Sequence, residues 1–397
     1  MCIVQDDGDD WAKEASLMAG IYASAHIVLS ATATDDCADG FLHKRPDPLV
    51  IPYVQRSQEN SLVRARRIES HECFRDRAKT NYTLFQRGWC MQERFLARRV
   101  IHFLPDEILF ECQAGRECEC DAARTEKTRY DILDAFRRFI FLRAAKYLTE
   151  REFAWAWSQI TRAYSAAQIT YGKDSLPALS GVAACMEHLK LGKYIAGLWE
   201  YGIGFHLGWH VDPSSGARRW KYPEDIDIRG PSFAWTSHAR SVQHAVLDFP
   251  LQICTLQSSH VELTTANPYG EVGPASMCLR GHIVSAADLI PWLKVPELRY
   301  AISYLYFDSG VQISDPGFEP NPPDDEHYGL KDDKTGEPVM LFGISESKAY
   351  GTIGQVDALL LRPSRAGAGE YVRIGLFRGL EKTWFDEHAV ASTVTII

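Results

Sequence analysis

Near the start of the chain the spacing of hydrophobic positions changes period, and the change predicts the elements. Trp11, Ala15, Met18, Ile21 or Tyr22 and Ala25 recur at helical spacing and form one apolar face. Upstream, residues 2–4 read as the end of a buried strand. Residues 6–10 read as a turn and N-cap, their carboxylates well placed at the positive end of the helix. The β-branched run at residues 27–31 follows at once as a second buried strand. Strand, helix, strand outlines a parallel α/β unit, with Trp11, Met18 and Tyr22 expected to be buried against residues 27–29. Asp6 and Asp7 stand just past a strand's C-terminal end, where open α/β sheets bind ligands and where plain helix capping also places acids.

Residues 35–82 are rich in Asp, Arg, Pro and Ser and read as an insertion carrying strands at 49–54 and 61–66. A short central helix follows, then strands at 100–103 and 108–112 joined by a turn at 104–107. Between residues 130 and 189 the period is helical. Ile132, Ala135, Phe139, Leu142 and Tyr147 favour one side of a first helix; Phe153, Trp157, Ile160 and Tyr164 form a stripe on the next. A cap at Asp174 or Ser175, with Pro177 in the first turn, opens a third. Downstream segments at 261–265, 275–284, 339–344, 355–362, 371–377 and 392–397 are strand-like, as in an antiparallel sandwich or partly open barrel. Residues 315–338 read as a long exposed loop. Three regions are expected: an α/β domain over 1–125, a helical connector over 126–190 and a β-rich domain over 191–397.

The central helix carries an unusual residue. Trp89, Glu93 and Leu96 fall on one face, and an unpaired carboxylate is costly on an apolar face. Glu93 is therefore either the structural partner of Arg87, Arg94, Arg98 or Arg99, or is held in a cleft for use.

Two blocks around these elements resemble the fungal heterokaryon-incompatibility (HET) domain. The first is Cys2-Ile3-Val4-Gln5-Asp6-Asp7 with Trp11, Glu14-Ala15, Met18, Ile21-Tyr22 and Ala25. The second is Arg87-Gly88-Trp89-Cys90-Met91-Gln92-Glu93 with Arg99-Val100-Ile101-His102-Phe103. The close match covers roughly the first quarter of the chain. The family's first strand and its Ser-Tyr-x-Trp-Gly-like phrase are not found before Cys2, so the resemblance implies an N-terminally truncated member or an imperfect gene model, less stable than a full one. The HET phrase Trp-x-x-x-Glu in turn resembles the Trp-Cys-x-x-Glu helix of TIR domains. This implies an incomplete TIR- or flavodoxin-like parallel sheet, with Glu93 catalytic in NAD cleavage and Arg87, Trp89, Gln92 and Asp6 as NAD-binding residues.

Composition narrows the partners. A formal net charge of -9 argues against a nucleic-acid surface, which needs a basic face, and no apolar run is long enough to span a membrane as a helix. The acidic start lacks the regions of a signal peptide, and the scattered cysteines suggest reduced thiols, so a cytoplasmic protein is expected. Cys112, Cys118 and Cys120 are the one cysteine cluster. No CxxC pair completes a four-ligand zinc site, and Glu111, Glu117 and Glu119 interleave the thiols. The segment reads as an exposed acidic loop, with no metal site assigned and a metal the lesser alternative.

Nucleophile-elbow and P-loop motifs are absent; Gly202-Ile203-Gly204 and Gly367-Ala368-Gly369 read as helix termination and a hairpin turn. His102 lies in a strand and reads as a satisfied core or edge histidine. Two functions follow from the resemblance. One is non-self recognition and programmed cell death, signalled through protein partners or self-association of the HET domain, with no cofactor required. The alternative is an NAD glycohydrolase, with NAD as substrate, inactive here if the truncation removes part of its pocket.

Overall fold

The computed structural model describes residues 8–36, 38, 40–42, 44–54, 60–66, 71–74, 82–112, 114–120, 148–212, 230–238, 241–244, 251–289, 304–307, 312–313, 338–348, 354–364, 367 and 369–397. The chain divides into two compact units, Met1–Arg138 and Phe139–Ile397. The helices between 150 and 184 fall within the second unit together with the β-rich part. Residues 2–4, Asp6, the first helix expected after Tyr130 and nearly all of the 315–338 loop lie outside the described residues.

The first unit runs α1 (Gly8–Ser24), β1 (Val28–Ser30), β2 (Leu49–Val54), β3 (Asn60–Ala65), α2 (Thr83–Gln86), α3 (Gly88–Leu96), β4 (Arg99–Phe103), β5 (Ile108–Cys112) and β6 (Gly115–Cys118). Strands β1, β4, β5 and β6 form one sheet in that order. Only β1 and β4 pair in parallel, Val28 opposite Val100; β4–β5 and β5–β6 are antiparallel hairpins. Among the described residues the sheet is thus mixed, not the parallel sheet expected, because the turn after Phe103 is too short for a crossover and sends the chain straight back. The expected insertion strands form a separate antiparallel ribbon, β2 with β3.

Alternation decides what faces inward: Val100 and His102 on β4, Leu109 and Glu111 on β5. Leu104 and Leu109 close over Phe74 and Phe85 in a small apolar cluster. Helix α1 lies against α3, Trp11 meeting Trp89 edge to face at 5.9 Å. Trp11, Met18 and Tyr22 are half-buried there, not buried beneath β1, whose Leu29 is 59% exposed.

The second unit begins with α4 (Glu150–Ser165), opened by a capping box in which Thr149 and Glu152 satisfy each other's backbone N–H groups. Its stripe of Phe153, Trp157, Ile160 and Tyr164 is wholly buried, as the spacing predicted. Helix α5 (Pro177–Ala184) has Pro177 in its first turn but Leu176 as N-cap. Asp174 and Ser175 are instead taken into a preceding tight turn that is buried, where the Ser175 carbonyl accepts the Tyr164 hydroxyl at 2.7 Å.

Next come β7 (Tyr194–Ile195), β8 (Leu198–Trp199), α6 (Ile203–His206) and β9 (Trp209–Val211). Gly202, at φ +80°, is the N-cap of α6 and so starts a helix; the expectation of a helix end fails because its left-handed backbone serves entry here. At the β7–β8 turn, Gly197 has φ +96° and its carbonyl accepts the indole N–H of both Trp157 (3.0 Å) and Trp235 (3.1 Å). A Cβ on Gly197 would stand 2.8 Å from the Trp235 ring nitrogen, so only glycine fits.

The remaining strands are β10 (Val242–His244), paired with β9, then β11 (Leu251–Gln252), β12 (Thr255–Leu263), β13 (Val272–Ser285), β14 (Tyr304–Phe307), β15 (Gln312–Ile313), β16 (Met340–Lys348), β17 (Gly354–Pro363) and β18 (Glu370–Glu381), followed by α7 (Lys382–His388) and β19 (Val390–Ile396). Pairings run β13–β16–β17–β18–β19 and back to β13, closing a barrel. All are antiparallel except the closing β18–β19 pair. Leu341, Val356, Ala358, Leu360, Phe377 and Leu380 pack into one apolar core with Trp384 and Phe385 of α7. Gly369, at φ +81°, lies in the connection between β17 and β18, where a glycine turn was expected.

Buried Arg373 on β18 stacks on the Trp209 ring at 3.4 Å and donates to the carbonyls of Leu207 (2.8 Å) and Trp209. Ser232 donates its backbone N–H (3.0 Å) and its hydroxyl to the Ile397 carbonyl.

Asp357 is buried on β17 and accepts the Gly379 N–H at 3.1 Å. Burial raises its pKa to about 6; Arg378 and that hydrogen bond offset only part of the effect. The folded carboxyl thus holds its proton more tightly than the unfolded one, and stability is lost as pH rises from about 4 through about 6. Asp357→Asn should raise the melting temperature by a few degrees at pH 7.5 and change it little at pH 4, as thermal melts at the two pH values would register.

Candidate functional site

Two carboxylates organise the first unit, and they play opposite parts. Glu111, on the inner face of β5, is 1% exposed. Its oxygens accept from Arg94 of α3 (2.7 and 3.1 Å), Arg116 of β6 (2.9 Å) and His102 of β4 (3.2 Å). Burial pushes its pKa up, but the two guanidinium groups and the hydrogen bonds outweigh it and hold the carboxyl well below its usual range. A carboxylate only accepts, so His102 Nε2 carries the proton and Nδ1 accepts from the Thr32 hydroxyl at 3.0 Å. Desolvation lowers the pKa of His102, and Glu111 only partly restores it. His102 is therefore the satisfied core histidine that its strand position predicted. Arg94 also donates to the Phe74 carbonyl (3.2 Å) and lies over the rings of Phe74 and Phe85.

The segment from Glu111 to Cys120 is consequently not an exposed acidic loop. It is a hairpin built around a buried acid, because Glu111 shares its strand face with Leu109 and meets two arginines there.

Glu93 is the second carboxylate. On α3 the residues buried deepest are Gly88, Met91, Gln92, Phe95 and Leu96, so Trp89 and Glu93 sit on the flank that meets α1. The Glu93 carboxylate is hydrogen-bonded to the Tyr22 hydroxyl, and Arg87 is the charge that acts on it. Desolvation raises its pKa above the usual carboxylate value, with Tyr22 and Arg87 offsetting only part. Burial and the neighbouring Glu93 push the Tyr22 hydroxyl up as well, so it remains a hydrogen-bond donor. Arg94, one of the four candidate partners, belongs to Glu111 instead, and Arg98 and Arg99 are exposed at the start of β4.

The structure thus brings together Glu93, Trp89 and Arg87, and adds Tyr22 and Trp11 from α1. Gln92 is 1% exposed and turned about 100° round the helix from Glu93. Asp6 lies outside the described residues. Sequence reasoning placed Tyr22 in the core without seeing its role; the signal was available in a phenol on the same helical face as Trp11. A half-buried carboxylate with one hydroxyl donor and a guanidinium within electrostatic reach can exchange a proton or face a developing positive charge.

Residues 1–93 match the family described as Heterokaryon incompatibility protein (HET), a match that ends at Glu93. No curated protein and no solved structure matches the chain.

Two outcomes follow from this geometry. Glu111→Gln leaves Arg94 and Arg116 without their anion in the interior and should cost on the order of 3–5 kcal/mol in urea unfolding of the first unit. Tyr22→Phe removes the donor that favours ionised Glu93, so the Glu93 pKa should rise further, as carboxyl-carbon NMR titration would measure.

Proposed function

With a HET domain over its residues 1–93, this chain is, we propose, a fungal incompatibility protein that acts in non-self recognition and programmed cell death, signalling through protein partners or self-association of a TIR-like domain. The family match is the observation that carries this reading. The surface of the first unit supports it: Leu49, Val50, Ile51, Leu62 and Val63 of the β2–β3 ribbon are all 44–67% exposed, as are Leu17 and Ile21 of α1 at 49% and 54%. Apolar surface of this extent on paired elements suits contact with another protein. No described helix is long and apolar enough to cross a membrane.

A second reading, NAD cleavage, rests on Glu93. Its carboxylate is desolvated, bound by Tyr22 and carried on the same helix flank as Trp89. A group in that state could hold the ribose hydroxyls of NAD and stabilise the oxocarbenium-like charge that forms as nicotinamide leaves.

Expression of the chain and of Glu93→Gln in a filamentous fungus, with NAD levels and viability followed together, separates the two. The amide is nearly isosteric and should preserve the fold. Under the signalling reading both forms kill and neither depletes NAD. Loss of NAD cleavage and killing together in the variant, by at least about a hundredfold for the chemical step, would move the assignment to the enzyme. Failure of both forms to kill would refute the signalling reading, and unchanged NAD in both would refute NAD cleavage by this chain.

A further inference from the structure

We propose that the first unit holds a structural zinc ion on His71, Glu107, Cys118 and Cys120. One ligand atom from each of these four side chains lies within 4.8 Å of the others. They come from three places in the fold: His71 from the turn at His71–Phe74, Glu107 from the β4–β5 turn, and the two cysteines from the end of β6 and the residues just after it. Cys118 ends β6 and Cys120 lies in the turn just after it, with Glu119 between them. That turn brings the two thiols to 2.9 Å, while Glu119 turns away to Arg45 (2.8 Å) and the Ile108 N–H (2.9 Å).

The donor set is the one zinc takes in closed sites: two sulfurs, one imidazole nitrogen and one carboxylate oxygen. Zinc bonds of about 2.0–2.3 Å in a tetrahedron put donor atoms roughly 3.3–3.8 Å apart. Cys120 Sγ stands 3.8 Å from His71 Nε2. The sulfurs at 2.9 Å and the His71–Glu107 pair at 2.5 Å are closer than that, and side-chain rotations of about 1 Å open them around an ion. The sulfurs are too far apart to be a disulfide, which requires about 2.05 Å.

Burial and charge agree with an ion. His71 is 6% and Glu107 2% exposed, so neither is a surface group that would be left to water. The second Glu107 oxygen is buried with no hydrogen-bond partner among the described residues, and Arg66 is 4.0 Å from it. Two thiolates, one carboxylate and Zn²⁺ sum to a single negative charge, which that guanidinium balances. All four positions are filled by protein, so the ion has no open site for chemistry. Its work is to fasten the 71–74 turn to the sheet in a unit whose apolar cluster there is small, where metal binding adds directly to folding stability.

The test is the metal content of the full chain, purified under reducing conditions with a tag that contains no histidine, by plasma mass spectrometry. About one zinc per chain is expected. It should be lost from Cys118→Ser/Cys120→Ser, bound at least tenfold more weakly by His71→Ala, and retained by Cys112→Ser, whose thiol is outside the cluster. Because the ligand variants could fail to fold, the wild-type chain supplies an independent readout: exchange with Co²⁺ should give tetrahedral d–d bands and a thiolate-to-cobalt charge-transfer band. A folded wild-type chain without zinc and without these bands overturns the site. So does zinc fully retained by the double cysteine variant, or a Cys118–Cys120 disulfide recovered from the reduced preparation.

Discussion

Everything described in the first unit hangs on keeping one carboxylate charged inside protein. Glu111 draws Arg94 from α3, Arg116 from β6 and His102 from β4 onto a single pair of oxygens, so a helix and three strands are indexed to the same point. Taking three charged groups out of water is costly, and replacing such a set by apolar side chains can be neutral in energy. The arrangement offers direction instead. Its hydrogen bonds have fixed geometry, and they hold the turn of α3 that carries Trp89 and Glu93 against a sheet too narrow to do so by apolar contact.

That dependence explains why the two acids of this unit differ. Glu111 meets two guanidinium groups and is locked in its ionised form; Glu93, one helix flank away, has a phenol and the charge of Arg87 and is held less firmly. The difference is one of neighbours, since both are largely withdrawn from water. An acid committed to structure and an acid left adjustable can coexist within a small unit because the first fixes the helix that presents the second.

Local pattern made much of the fold legible. The stripe on α4, the β2–β3 and β4–β5 hairpins and most barrel strands follow from periodicities of 3.6 or 2 and from Gly and Pro punctuation. Side-chain partners set by long-range packing were not legible. The sequence offers Glu93 four arginines nearby, but Arg94 is drawn to a strand residue beyond the helix, and nothing local distinguishes the choice. The parallel pairing of β1 with β4 is a long-range contact of the same kind, whereas the antiparallel β4–β5 pair follows from the short turn at 104–107. Among the candidate site residues, Glu93, Trp89 and Arg87 share a neighbourhood. The contribution of Tyr22 required knowing that α1 crosses α3 and not β1.

The closure of the barrel by β18 against β19 has a consequence for the order of events during synthesis. The indole pair on the Gly197 carbonyl joins residues within one stretch of chain, and those contacts can form while the ribosome is still translating the barrel. The ring, by contrast, needs its last strand before either β13 or β18 has a full complement of neighbours. Until β19 emerges, β13 lacks the partner of its residues 277–283 and β18 that of its residues 370–371, and Ser232 lacks the Ile397 carbonyl. A nascent chain of this protein therefore carries an unclosed sheet until β19 has emerged, the interval in which chaperone protection would matter most.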